Sequence, residues 1–279
     1  MQKAFDIEGT PQLEIRLHSG EVEIDPTLEG RVEVELTAHD EESQRLVDEA
    51  RVERHDKTVV IELPNRRGGF NLGFVFGRSG VTCRVRCPRG TGVSASTKSA
   101  DVRARGAIGG LDVKTASGDV EALEALGGVN VKSASGDIRV DTVGGALNIQ
   151  SASGDVEIGT VRGPVNIQTA SGDVEIAAAD DRVNAAVVSG DLELGAVMRG
   201  NVHAQSVSGD VAIGVRRGSR VFLDCNTLSG DTHSDLELQN DAPTGDGPLV
   251  EIRAKTVSGD IHIRRAPAPV SSDAQEVQA

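Results

Sequence analysis

A tripeptide that carries a carboxylate recurs along the chain at a fixed interval. Ser-Gly-Asp begins at Ser117 and returns every 18 residues as far as Ser189, then at spacings of 19, 21 and 29 residues. Its Gly and Asp positions in the first six copies are Gly118, Asp119, Gly136, Asp137, Gly154, Asp155, Gly172, Asp173, Gly190, Asp191, Gly209 and Asp210. Periodic carboxylates could bind calcium, as G-G-x-G-x-D-x-U-x repeats do, or could hydrogen-bond the N–H groups of a turn.

The sequence favours the turn. Asp follows a corner glycine in only one half of each 18-residue unit, and the second Gly-x-Gly element of calcium repeats is missing. Glycine supplies the backbone freedom that a sharp corner needs. Carboxylates stacked about 4.8 Å apart repel one another by less than ~1 kcal/mol per step in water. We therefore predict structural corners and no metal or other cofactor.

The six histidines are scattered, but two share a position in the repeat. His233 and His262 both follow a Ser-Gly-Asp corner by the same number of residues, so their side chains could stack. Either a metal-binding pair or an ordinary exposed pair fits this pattern. A carbohydrate-active β-helix enzyme would need a local, non-repeated cluster of carboxylates and bases. The carboxylates here follow the repeat, which predicts that the protein is not an enzyme.

Residues 64–80 break the repeat and hold three of the five Phe residues of the chain. The aromatic and basic side chains of this segment form a candidate partner-binding set: Phe70, Phe74, Phe76, Arg66, Arg67 and Arg78. The Phe rings either fold onto the N-terminal end of the core or form an exposed contact for a partner or a membrane surface. We expect at least two of the three rings to be buried.

The residues between the corners alternate apolar, polar and apolar, which is the period of a strand with one buried face. The two halves of a unit, "SGDVEIGTV" and "RGPVNIQTA", repeat one nine-residue pattern of a glycine corner and a short strand. Stacked half-turns predict an all-β fold, a right-handed parallel β-helix or β-solenoid with rungs of about 18 residues. A left-handed hexapeptide helix is excluded because the residue six after Ile149 is Asp155.

The remaining segments complete the predicted organisation. "HSGEVEI" at residues 18–24 is a weaker echo of the repeat, so residues 12–80 are predicted to form eroded rungs and residues 81–263 regular ones. One helix is predicted over residues 40–53, where it could cap the exposed end of the solenoid. Residues 1–263 then form a single domain, and the Pro- and Ala-rich residues 264–279 a disordered tail.

Composition excludes several classes of protein. A net charge of −14 disfavours binding to nucleic acid, and an aromatic content of 2% without Trp or Tyr disfavours many enzymes and lectins. Cys83 and Cys87 would lie about 13 Å apart on a strand, too far to pair, which indicates free thiols in a reducing compartment. No apolar run is long enough to span a membrane. We expect a cytoplasmic protein without a transmembrane segment, with cell-envelope association as the alternative.

The copies "TASGDV", "SASGDI" and "SASGDV", followed by segments such as "VRGPVNIQ", carry a resemblance. Over roughly residues 10–263 the chain resembles the bacterial "putative adhesin" family of SGD-repeat β-strand proteins, a domain of unknown function. The resemblance implies a right-handed β-solenoid and a bacterial origin. It implies no chemistry, because the family has no catalytic motif to carry over.

These observations favour a non-enzymatic scaffold or adhesin-like binding module. It would be a monomeric rod that presents repeated polar faces, such as the column of Asn130, Asn148, Asn166 and Asn184, to an unknown protein or an envelope polymer. The alternatives are the carbohydrate-active enzyme and a solenoid that polymerises through its ends. Polymerisation would require an uncapped, apolar end rung.

Overall fold

A computed structural model describes residues 1–64, 80–236 and 247–266. These residues form 23 strands and one helix, and the strands are joined edge to edge in one hydrogen-bonded sheet. The sheet winds into a β-solenoid with one short helix near its N-terminal end, as the sequence predicted.

Each regular rung consists of two strands with a corner between them. The regular strands are β8 (Leu111–Thr115), β9 (Val120–Ala125), β10 (Val129–Ser133), β11 (Ile138–Val143), β12 (Leu147–Ser151), β13 (Val156–Val161), β14 (Val165–Ser171), β15 (Val174–Ala179), β16 (Val183–Ser189), β17 (Leu192–Val197), β18 (Gly200–Ser208) and β19 (Val211–Val215). From β8 to β17, each strand pairs in parallel with the strand two places further on; Ile138, for example, lies opposite Val156. The even-numbered strands thus form one face, here called sheet I, and the odd-numbered strands form sheet II.

The core is built from short aliphatic side chains stacked in columns between the two sheets. Every predicted inward position of the regular rungs is at most 2% exposed, including Val156, Ile158 and Ile167. Burying one such side chain contributes about 1.5–3 kcal/mol. Equivalent residues lie above one another, so the 18-residue period itself sets the register of the sheets.

The last two repeats do not stack in chain order. They comprise β20 (Arg220–Ser229), β21 (Thr232–Ser234), β22 (Leu249–Ser258) and β23 (Ile261–Arg265). β22 pairs with β18 on one side and β20 on the other, and β23 pairs with β19 and β21 in the same way. The final repeat of the sequence therefore lies inside the solenoid, and the repeat before it forms the terminal rung.

In the N-terminal segment, too, the spatial order of the strands differs from their order in the chain. Its elements are β1 (Gln2–Asp6), β2 (Gln12–Leu28), β3 (Arg31–Ala38), α1 (Glu41–Asp48), β4 (Arg51–His55), β5 (Thr58–Glu62), β6 (Val81–Pro88) and β7 (Gly92–Ile108). β2 lies between β7 on one side and β5 with β6 on the other. Ser19 and Gly20 align with Ser99 and Ala100 of β7, and Gly20 has a φ of 119°, so the weak sequence echo does form a corner.

Antiparallel strands and the helix cover this end. β4 pairs antiparallel with β5, β3 with β6, and β1 with β3. The Asp40 carboxylate caps α1 by accepting from the Ser43 N–H at 2.7 Å, and Val47 of the helix is buried. The helix ends at Asp48, earlier than the predicted residue 53, because residues 51–55 alternate as a strand and bury Val52 against the core.

Candidate binding groove

The Asp residues of the corners form a ladder of hydrogen bonds between rungs. The backbone N–H of each corner Asp donates to Oδ1 of the Asp in the neighbouring rung, over 2.7–3.1 Å. The ladder runs in spatial order through Asp101, Asp119, Asp137, Asp155, Asp173, Asp191, Asp210, Asp260 and Asp231. Each carboxylate therefore binds a backbone amide of the next rung.

The corner glycines permit this close stacking. Gly136, Gly154, Gly172, Gly190 and Gly209 have φ values between 107° and 141°, whereas Gly118 is not in the left-handed region. A Cβ added at Gly154 would lie 2.3 Å from the carbonyl oxygen of Gly136. Only glycine fits both the backbone conformation and the space.

A column of hydroxyl side chains lies just before each corner. Ser133 donates to the carbonyl oxygen of Ser135 at 2.8 Å, Ser151 to Ser153 at 2.9 Å, and Thr169 to Ser171 at 3.0 Å. The hydroxyl groups thus satisfy backbone carbonyls inside the turn. Because they are held by their own backbone, they give the surface beside the corner a fixed shape.

A groove of about 1180 Å³ runs lengthwise along this corner. Its lining comes from one to three adjacent positions of each repeat: Lys114, Thr115, Lys132, Ser133, Gln150, Ser151, Gln168, Thr169, Ala170, Ala186, Val187, Val188, Gln205, Ser206, Val207, Asn226, Lys255, Thr256 and Val257. These positions span eight stacked rungs, which at ~4.8 Å per rung is about 34 Å. The groove therefore follows most of the regular solenoid.

The groove combines hydrogen-bond donors with an apolar stripe. Gln and Lys side chains recur at the first lining position, and Val188, Val207 and Val257 are 53%, 49% and 46% exposed at the third. No Asp, Glu, His or Cys is among the described residues that line the groove. The groove can therefore bind a ligand by hydrogen bonds and apolar contact.

The outer face of sheet II and of its N-terminal continuation carries a column of charges, which alternate from Arg84 to Glu157 and then continue as Glu175 and Glu193. Arg84 donates to Glu23 at 2.7 Å, and Arg139 donates to Glu157 at 2.8 Å. Arg103 pairs with Glu21, Asp101 and Glu121. Cross-strand pairs of opposite charge stabilise a sheet by a few tenths of a kcal/mol up to about 1 kcal/mol each, so this column has a structural role.

The thiols are not poised for nucleophilic chemistry. Burial raises the pKa of Cys83 to about 12 and that of Cys87 to about 11. Cys225 is half-buried, and burial raises its pKa as well. All three cysteines are free thiols in the structure.

The structure places the other candidate residues as follows. Asn184 donates to Asn166 at 2.9 Å, and Asn130 donates to Asp112 at 2.7 Å, so part of the Asn column is engaged in bonds between rungs. His233 and His262 lie side by side at the C-terminal end. Residues 65–79, with Phe70, Phe74, Phe76, Arg66, Arg67 and Arg78, lie outside the described residues.

The groove was missed in the sequence, although its signal is there. The string Lys/Gln–Ser/Thr–Ala precedes the Ser-Gly-Asp tripeptide at Lys132, Gln150 and Gln168. The groove forms only when these positions stack from rung to rung.

Residues 11–264 match the family described as Toastrack DUF4097. The chain belongs to the Toastrack DUF4097 family. The match covers nearly the whole solenoid, and it gives the expected resemblance a family name that refers to fold rather than to chemistry. No curated protein matches this Toastrack chain.

Solved bacterial structures are similar to this chain at low sequence identity. A "putative adhesin" from Bacteroides fragilis is 14% identical, with 94% of this chain and 96% of that chain covered at a TM-score of 0.50. A "putative adhesin" from Parabacteroides merdae is 10% identical, with 94% and 95% covered at 0.48. A "putative lipid binding protein" from Parabacteroides distasonis is 17% identical, with 94% and 96% covered at 0.42. In the described parts of the chain, no helix has the length and apolar character to span a bilayer.

Proposed function

We propose that this Toastrack chain is a non-enzymatic binding module whose lengthwise groove holds an elongated polymer. One observation carries the proposal: the groove presents a Lys, Gln or Asn side chain at seven of its eight stacked rungs, over about 34 Å. A surface that repeats at each rung suits a ligand that also repeats, because each unit of the ligand then meets equivalent groups.

The lining indicates the chemistry of that polymer. Gln150, Gln168 and Gln205 offer amide groups that both donate and accept, and Lys114, Lys132 and Lys255 offer positive charge. The described lining contains no carboxylate that would repel an anion. A hydroxyl-rich, neutral or anionic envelope polymer fits these groups better than an acidic or basic protein surface does. The exposed Val stripe would contact the apolar faces of its units.

The same geometry weighs against the two alternatives. A carbohydrate-active enzyme would need paired carboxylates at the bound polymer, and the described groove residues supply none. Polymerisation through the ends would need two open ends, but α1 and antiparallel strands cover the N-terminal end. We therefore propose a monomeric rod. Envelope association follows from this ligand class, and cell fractionation would decide between it and a cytoplasmic location.

The test is co-sedimentation of the protein with insoluble polymers. Purified peptidoglycan represents an anionic envelope polymer, and cellulose a neutral one. Val188→Glu places a charge in the groove, and Leu123→Glu is its matched control, because Leu123 lies on sheet II and is 51% exposed, against 53% for Val188.

We expect binding to at least one polymer, at least tenfold weaker for Val188→Glu and unchanged for Leu123→Glu. Thermal unfolding of both variants checks that their fold is intact. Equal binding by the two variants, or no binding of the wild-type protein to either polymer, would contradict the proposal.

A further inference from the structure

Two histidines and one aspartate meet at the C-terminal end of the solenoid, away from the groove. β21 pairs in parallel with β23, and His233 lies directly opposite His262. Their rings are 5.2 Å apart between centroids and tilted by 57°. They continue the charge column of sheet II, in which Ala212 is the next residue inward.

Asp235 completes the cluster from just beyond the strand. Its backbone N–H donates to the carbonyl oxygen of Ile263 at 2.9 Å, which fixes the chain beside β23. Oδ1 of its carboxylate lies 2.9 Å from Nε2 of His233, and Oδ2 lies 3.1 Å from Nε2 of His262. The buried Leu236 follows directly and anchors the segment. One carboxylate thus faces two imidazole nitrogens from neighbouring rungs.

We propose that His233, Asp235 and His262 bind a divalent transition metal of the zinc class. Their ligand atoms all lie within 4.8 Å of one another. Tetrahedral ligands with bonds of about 2.1 Å lie about 3.4 Å apart, so small side-chain rotations would bring the three atoms into place. Imidazole nitrogen with carboxylate oxygen is a donor set that zinc, nickel, copper and cobalt accept, and water would complete the coordination.

The surroundings leave the cluster available to a cation. The guanidinium of Arg264, two residues after His262, pairs with Glu193 instead of reaching Asp235. The side chains of His233, Asp235 and His262 are 72%, 46% and 45% exposed, so an ion can enter from solvent and the ligands can adjust.

Such a site would connect the terminal rung to its neighbour. β21 has three residues and is the last strand of sheet II, so its pairing with β23 is short. The metal would add bonds between residues that are 29 positions apart in the sequence and lie on the two outermost rungs. Because an ion that binds only the folded form stabilises it, the site would hold the end of the solenoid closed. The corner Asp ladder is not part of this proposal.

The experiment uses the full, untagged chain after treatment with a chelator. Zn²⁺ binding is measured by isothermal titration, and Co²⁺ absorption reports the coordination. His233→Ala, His262→Ala and Asp235→Asn each remove one ligand. His55→Ala is the matched control, because His55 is an exposed histidine that faces the carboxylate of Glu53 at 3.5 Å.

We expect one Zn²⁺ per chain and a visible Co²⁺ band in the wild-type protein and in His55→Ala. Binding should weaken at least tenfold in each of the three ligand variants, and Zn²⁺ should raise the melting temperature only where the site is intact. The Co²⁺ spectrum of the wild-type protein needs no variant, so a misfolded variant would not hide the outcome. No saturable binding by the wild-type chain, or equal affinity in His262→Ala and His55→Ala, would overturn the proposal.

Discussion

The backbone N–H of Asp173 donates to Oδ1 of Asp155, one rung before it, at 2.9 Å. The same contact recurs at every Ser-Gly-Asp corner from Asp119 onward. The repeated carboxylate is thus an acceptor that joins rungs, and its value to the fold comes from its oxygen more than from its charge.

Asp155→Asn and Asp155→Ala separate these two properties. Asn keeps an oxygen that can accept from the Asp173 N–H, so we expect a loss of unfolding free energy below about 0.5 kcal/mol. Ala removes the acceptor and should cost about 1–2 kcal/mol. Urea unfolding of both variants measures the difference. Equal costs for the two substitutions would contradict the role of the carboxylate oxygen as an acceptor.

Calcium should not stabilise the solenoid. Oδ1 of each carboxylate in the ladder already accepts a backbone N–H, and a calcium ion needs about six to eight oxygen ligands. We expect the melting temperature in millimolar Ca²⁺ to stay within about two degrees of its value in Mg²⁺. A rise of about ten degrees would contradict the structural role of the column.

Gly154 should be far less tolerant of a side chain than a glycine at an open turn. Its φ is 107°, and an added Cβ would approach the carbonyl oxygen of Gly136 to 2.3 Å. Gly218 has a φ of 87° with no atom within 4 Å of such a Cβ. We expect Gly218→Ala to cost about 1 kcal/mol from backbone strain alone, and Gly154→Ala several kcal/mol, with Gly154→Val worse still. Chemical denaturation of both Ala variants provides the comparison, and similar costs would refute the steric account.

The buried thiols should make the protein sensitive to alkaline pH. The pKa of Cys83 is raised by burial from 9.0 to about 12. The unfolded chain therefore releases this proton at a lower pH than the folded chain. The contribution of the protonated Cys83 thiol to the free energy of unfolding is complete below pH 9.0. It is lost as pH rises toward 12, by up to ~1.4 kcal/mol per pH unit. Unfolding measured from pH 8 to about 11 should show this slope, and Cys83→Ala should reduce it.

Removing the last repeat should destabilise more than its own rung. A chain that ends at residue 246 lacks β22 and β23, which separate β18 and β19 from β20 and β21. We expect residues 220–236 to lose protection in hydrogen exchange although they remain in the chain. A chain that ends at residue 266 is the control and should behave as the full chain does. Undiminished protection in the shorter chain would mean that the two repeats can exchange places.

The sequence could predict what the repeat period dictates. Alternation at Val156 and Ile158, and a glycine at residue 154, specify strand, buried face and corner without tertiary information. The order of the last rungs was not predictable. Val221, Leu223 and Cys225 offer an inward pattern much like that of Val250, Ile252 and Ala254, so either repeat could follow β18.

The candidate sites were predictable only in part. The stacking of His233 and His262 followed from their common position in the repeat. Asp235 lies six residues after Ser229, at the repeat position that Asp141 and Arg264 occupy in other copies. Its role depends on the chain beyond β21 staying beside β23. The His-Ser-Asp spacing was the available signal, because residues two apart on an extended chain point to the same side. The groove depends on the stacking of its lining positions over eight rungs, which the pattern of a single repeat does not report.

The exchanged repeats also determine when the molecule can finish folding. A solenoid that stacks in chain order can add each rung as it leaves the ribosome. Here β20 and β21 have no partner until residues 249–265 exist, because the last repeat must enter between them and the rung before. Until then the edges of β18 and β19 stay open to pairing with another chain. The final repeat therefore completes the fold, because its two strands cover the open edges of β18 and β19. A chain interrupted before residue 249 would keep those edges unpaired and prone to associate with other chains.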